Sequence, residues 1–102
     1  MSALDVLVLQ QARVRLMAAT AAKIGNAIVL CPTTATTAME IAPLEADEDI
    51  FLQHNGLTLR NTSPGNFLDW CGVSIPNGTD PEGMPTGFLM SAPSGQDRAL
   101  LT

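Results

Sequence analysis

The chain has 102 residues, 46% of them hydrophobic and only 15% charged, with a net charge of −5. Its five basic residues, Arg13, Arg15, Lys23, Arg60 and Arg98, are scattered. Neutralising phosphates takes clustered cations, so the composition argues against nucleic acid as a partner and, for the same reason, against an anionic membrane surface.

The length allows one domain over residues 1–102, with a modest core, because a chain of this size buries about 60–65% of its extended surface. For a free-standing small domain the composition is apolar and poor in charge. It suits a piece of something larger or a protomer that buries surface against a partner. It equally suits an ordinary domain whose Ala-rich helix inflates the apolar count. Cys31 and Cys71 lie in apolar runs and form no CxxC pair, so buried, reduced thiols are expected. The run Leu4–Leu9 contains Asp5 and has no basic residue before it. It is too short to span a bilayer and has the wrong flanks for a signal peptide, which points to a cytoplasmic protein.

Residues 3–24 read as a helix of good helix formers, stopped by Gly25-Asn26. Leu4, Val6, Leu7, Val8 and Leu9 surround its first turns, so several sides need cover; a strand is the other reading of that short run. Ala27–Cys31, closed by Pro32, reads as a central strand buried on both faces. Pro32–Pro43 reads as an irregular connection. The acidic run Glu45–Asp49 favours a helix start near Asp47 through the backbone dipole, and its spacing matches no calcium loop. Asn61 or Thr62 is placed to cap a second helix, with Pro64 in its first turn, Phe67, Leu68 and Cys71 facing the core, and Gly72 ending it. Val73–Ile75, closed by Pro76, and Phe88–Met90 form a long-looped hairpin, and Gln96–Leu101 is a terminal helix. The expected fold is α/β, about three strands in a mixed sheet with flanking helices. Too few strands are present to flank a central one, a sign that something is missing.

Read with their letters, these segments resemble the amidase-signature family. The strand runs into Pro32-Thr33-Thr34, and the second helix opens on Thr62-Ser63-Pro64-Gly65-Asn66. Val73-Ser74-Ile75-Pro76, the turn Gly83-Met84-Pro85-Thr86-Gly87 and Gly95-Gln96-Asp97 follow in order. Each motif is common alone; their order and spacing carry the resemblance, which runs from about Ala3 to Leu101 and is closest in character to bacterial amidases and the related amidotransferase subunits. It implies a fragment of the amidase-signature fold, its C-terminal portion. That family cleaves amide bonds with a serine nucleophile, a second serine in a cis peptide and a lysine. The serines lie in a Gly-Ser-Ser-Gly-rich stretch upstream of this region. No such stretch is present, and Lys23, the one lysine, sits in the first helix. No catalytic residue is therefore carried over.

The resemblance implies that Arg60, Asn61 and Asn66 lie near the substrate pocket of an assembled amidase. Read from the residues alone, Asn61 is a helix cap and Asn66 a partner for loop backbone. His54, the single histidine, has no spacing that ties it to Cys71 as nucleophile or to Asp47 or Glu48 as orienting group. One histidine and two separated cysteines make no zinc site, and no Gly-rich phosphate loop occurs, so neither metal nor cofactor is expected. Two functions follow: a C-terminal amidase segment, inactive alone and completed by a catalytic amidase half, or a stand-alone, self-associating binding protein derived from the fold. A homo-oligomer or the catalytic half is the expected partner.

Overall fold

A computed structural model of the protein describes residues 1–102. Helix α1 spans Ala3–Ile24, and its start is fixed by a reciprocal cap. The Ser2 hydroxyl accepts the Asp5 N–H at 3.1 Å, and the Asp5 carboxylate accepts the Ser2 N–H at 2.8 Å. The same pair holds the Asp5 carboxyl below its ordinary range, through the Ser2 backbone N–H first and the hydroxyl second. The helix ends where Gly25 takes φ 58°, a value that suits glycine, and its N–H closes on the Ala21 carbonyl at 3.0 Å. Only the second half of α1 leans on the rest of the molecule, through Ala12, Arg13, Met17, Thr20, Ala21 and Ile24; residues 1–11 are all exposed.

Strand β1 is Val29–Pro32, β2 is Cys71–Thr79 and β3 is Pro85–Ala92. They form one sheet in the order β1-β3-β2, and both pairings are antiparallel. Two expectations are corrected here. The sheet is antiparallel, not mixed, and β1 is an edge strand while β3 holds the centre. A short apolar run fits a two-sided strand, but in β1 Val29 and Cys31 are half-buried while Leu30 is exposed. The alternation of a one-sided strand is hidden in the sequence because both faces of the run are apolar.

β2 also continues past Pro76, where a register irregularity falls between Pro76 and Gly78. Proline lacks the N–H a central ladder needs, but an edge strand with a bulge tolerates it. Gly87, opposite Pro76, lies in close approach: a Cβ there would stand 3.2 Å from Ser74 Oγ and 3.3 Å from the Ile75 carbonyl, so these neighbours would have to give way by a few tenths of an ångström.

Between β1 and β2 lie three helices: α2 (Ile41–Ala46), α3 (Glu48–Leu59) and α4 (Ser63–Phe67). The expected start near Asp47 holds: its carboxylate accepts the N–H groups of Asp49 at 2.9 Å and Ile50 at 3.4 Å. Helix α2 begins inside the stretch Pro32–Pro43, where an irregular connection was expected, and runs on to Ala46. It tolerates Pro43 because that residue is third in the helix, where the N–H has no intrahelical partner. Helix α4 is shorter than expected, since Asp69 turns to φ 59° and Trp70 N–H closes on the Gly65 carbonyl at 2.9 Å. Cys71 therefore opens β2 instead of facing the core from a helix, and Phe67 is exposed. Neither proposed side chain caps α4; the Thr62 hydroxyl donates to the Leu59 carbonyl at 3.3 Å and Asn61 is engaged elsewhere.

Helix α5 (Asp97–Leu101) rests on β2 and β3. Only Ser91, Ala92 and Leu100 are buried in the whole chain. The molecule measures 43 × 41 × 17 Å, a plate with a radius of gyration of 16.7 Å, where a self-contained domain of this length has about 13 Å. Its accessible surface is 7438 Å², about 1,900 Å² more than a folded monomer of this mass exposes.

Candidate functional site

Strand residues alternate between faces, so the register sorts the sheet into two chemistries. One face carries Leu30, Met90 and Val73 in one row and Pro32, Phe88 and Ile75 in the next. The other carries Val29, Ser91 and Gly72, then Cys31, Leu89 and Ser74. The first is apolar and only partly covered by α5. The second is small and hydroxyl-bearing, and α4 approaches it.

Between α4 and this second face lies an open cleft of about 290 Å³. Ser91, Leu89, Gly72 and Ser74 contribute from the sheet, Thr62 and Asn66 from the α4 region, and Trp70 from the turn between. No charged side chain lines it. Thr33 and Ser74 share a hydroxyl–hydroxyl hydrogen bond of 2.5 Å, and Thr33 N–H donates to the Gly87 carbonyl at 3.1 Å, so Ser74 is held in place from β1's side. Ser91 differs: only 6% of its surface is exposed although it lines the cleft, and no side-chain nitrogen or oxygen shut off from solvent lacks a hydrogen-bond partner.

The three residues singled out in the sequence fall in different places. Asn66 lines the cleft at an exposed position. Asn61 uses its amide to donate to the Pro32 carbonyl at 2.9 Å, which ties the end of α3 to β1. Arg60 is exposed, its Nε 3.4 Å from Asn61 Oδ1. Two cleft residues, Ser91 and Leu89, carry no signal in the sequence, because a serine in a strand belongs to no motif; only the cross-strand register reveals it.

A second hollow of about 260 Å³ is lined by His54 with Met39, Leu44, Phe51, Asn55 and neighbouring threonines. Neither cysteine lines it. The Cys71 thiol points away, donating to the Ala92 and Pro93 carbonyls at 3.5 and 3.6 Å. Both thiols are free and half-buried, less covered than expected. No group of three or more His, Cys, Asp or Glu side chains is placed to hold a metal ion. No helix is long and apolar enough to cross a membrane.

The family model described as Amidase matches residues 2–101. A glutamyl-tRNA(Gln) amidotransferase polypeptide of Corynebacterium diphtheriae, the A-type component of that enzyme, is 34% identical to the chain over 74 residues. That alignment takes in 72% of this chain and 14% of the relative, so the chain spans a small part of the length of the protein it matches.

Proposed function

The chain belongs to the amidase family, and we propose that it is the C-terminal segment of an amide hydrolase, building one wall of the substrate site without the groups that break the bond. The observation that carries this reading is the lack of a closed core: three buried residues in 102, with half of α1 and much of one sheet face bare. A segment that evolved against a larger body leaves such surfaces. The limited share of the relative that it spans is in keeping with it.

In this reading the catalytic body supplies the serine pair and the lysine, and covers α1 and the apolar sheet face. Asn66 faces the substrate. Asn61 and Arg60 act behind it: Asn61 anchors α3 to β1 and Arg60 leans on Asn61, so the two hold the approach to α4. Apart from the catalytic half, a second copy of the chain takes over the cover. A cytoplasmic location belongs to the same proposal.

The test has two arms. Pure 102-residue chain is assayed against simple aliphatic and aryl amides; turnover abolished by a serine-directed reagent would falsify the reading. The chain is then mixed with the upstream part of an amidase-family enzyme, made as a separate polypeptide. Amide hydrogens of residues 3–16 should exchange more slowly in the mixture, and unchanged exchange there counts against the proposal.

A further inference from the structure

The backbone of the sheet leaves one edge open, and we propose that this edge, the outer side of β2, pairs with β2 of a second copy across a two-fold axis at Val73. The pairing concerns a surface that the amidase reading leaves unassigned, and it does not rest on that reading.

An antiparallel ladder alternates between opposite residues that exchange both backbone hydrogen bonds and opposite residues that exchange none. Thr33 N–H donates to the carbonyl of Gly87, which follows the register as its opposite residue, so these two are a bonded pair. Counting by two, Cys31 with Leu89 and Val29 with Ser91 are bonded as well. The backbone groups of Phe88, Met90 and Ala92 therefore point the other way, to Ile75, Val73 and Cys71 of β2. Gly72, Ser74 and Pro76 are left with their backbone groups turned outward, and no strand lies beyond them. The same count turns Leu30 and Pro32 outward on β1.

The two edges differ. On β1, Pro32 has no N–H and its carbonyl already accepts the Asn61 amide at 2.9 Å. Proline and a covering side chain both blunt an edge. On β2, Gly72 and Ser74 each offer an N–H and a carbonyl, and no loop backbone bonds to them. Both residues are exposed, and in glycine it is the backbone that is open. No charged residue stands in Cys71–Thr79 to repel another strand.

This edge fits itself. With Val73 opposite the partner's Val73, Gly72 faces the partner's Ser74 and Ser74 faces the partner's Gly72. Both are bonded pairs, each exchanging two hydrogen bonds. Next along, Pro76 faces the partner's Trp70. Proline has no N–H to give, and the Trp70 N–H is already held by the Gly65 carbonyl at 2.9 Å. Sliding one strand by two residues sets Ser74 against that occupied Trp70, or Gly72 against Pro76, and keeps only one full pair. The register at Val73 is thus the one that satisfies all the outward groups of Gly72 and Ser74, and it is symmetric, as a two-fold dimer requires. It also puts apolar side chains together. Val73 and the partner's Val73 form the close, unbonded pair on the apolar face, with Cα atoms about 4.5 Å apart. Ile75, 36% exposed, meets the partner's Cys71 beside them. Leu101 of α5, which lines the hollow over Val73, keeps 77% of its surface open next to this row.

Hydrogen exchange is followed on isotope-labelled chain over a range of concentrations. The Gly72 and Ser74 amides should slow severalfold as concentration rises, while the Leu30 amide on the other edge does not. In a chain with Cys31→Ser and Cys71→Ser, Val73→Cys should give a disulfide-linked dimer on mild oxidation, because its pair has a Cα separation that a disulfide takes. Ser74→Cys in the same chain should not. Ser74→Pro deletes an outward N–H that β3 does not use, and should raise the concentration needed to protect Gly72 by about tenfold or more. The proposal is overturned if Gly72 and Ser74 exchange independently of concentration, or if Ser74→Cys cross-links as readily as Val73→Cys. The same holds if a folded Ser74→Pro chain protects Gly72 as well as the parent does. Slower exchange at residues 3–16 with no change at Gly72 and Ser74 would remove the strand pair and leave the cover of α1 standing.

Discussion

Helix α1 gives the most direct way to measure how much cover the chain lacks. Leu4, Leu7, Val8, Leu9, Val14 and Leu16 keep 44–69% of their surface exposed. Completing the burial of such side chains is worth about 1 kcal/mol each, taking roughly half of the ~2 kcal/mol for full burial. Six of them supply about 6 kcal/mol per helix, and two copies in a two-fold arrangement about 12 kcal/mol. Association itself costs about 4–15 kcal/mol. At the low end of that cost the balance predicts self-association with a dissociation constant of about 1 μM, rising to about 1 mM where the cost reaches about 8 kcal/mol. Leu7 and Val14 are the residues to change, because they lie seven apart on one face of α1 and keep 61% and 64% of their surface exposed. Leu7→Asp with Val14→Asp removes about 2 kcal/mol of burial per copy, so a two-fold dimer should weaken about 1,000-fold. Sedimentation equilibrium reads this directly. A single species near 10.7 kDa across the accessible concentration range, or a variant that associates as well as the parent, would refute the reasoning.

Three further outcomes are expected. Cys31 should react with a thiol reagent faster than Cys71, whose proton is engaged by the Ala92 and Pro93 carbonyls; equal rates would contradict that geometry. Asp47→Ala should cost about 1 kcal/mol by removing the cap of α3, seen as faster exchange at the Asp49 and Ile50 amides, and unchanged exchange there would show the cap to be idle. The Thr37 hydroxyl, then the Met84, Glu82 and Gly83 N–H groups, hold the Asp80 carboxyl below its ordinary range. With the folded value lowered, the turn from Asp80 to Met84 is fully supported above the unfolded carboxylate range and loosens as pH falls through the folded value. Following the Met84 amide resonance against pH checks the sign, and a midpoint at or above the ordinary range would be inconsistent with it.

Much of the element order is legible in the sequence because it rests on local chemistry. The stop at Gly25, the cap at Asp47 and the hairpin into Phe88 each come from a residue acting on its near neighbours. Pairing is what misleads. Nothing local says that Phe88–Met90, next to Gly87 and followed by Ser91, is the middle strand, while the more apolar Ala27–Cys31 run forms an edge. Strand order is decided by which faces find cover, and here one face finds little. Helix α2 escapes notice because Pro43 reads as a breaker unless its place in the first turn is known. Asn66 stands out within the Thr62–Asn66 motif, whereas the place of Ser91 in the cleft shows only in the register that sets it opposite Gly72.

The two incomplete surfaces of the chain ask for different things. The row of Leu30, Met90 and Val73 and the bare half of α1 are satisfied by any well-fitting apolar body, since burial is non-directional. The cleft is not. A protein surface closing over it would need to present a hydrogen-bonding group to Ser91 and another to Asn66, or leave both worse off than in water. Apolar cover over the Leu30 row would therefore leave the cleft on the opposite sheet face open to solvent.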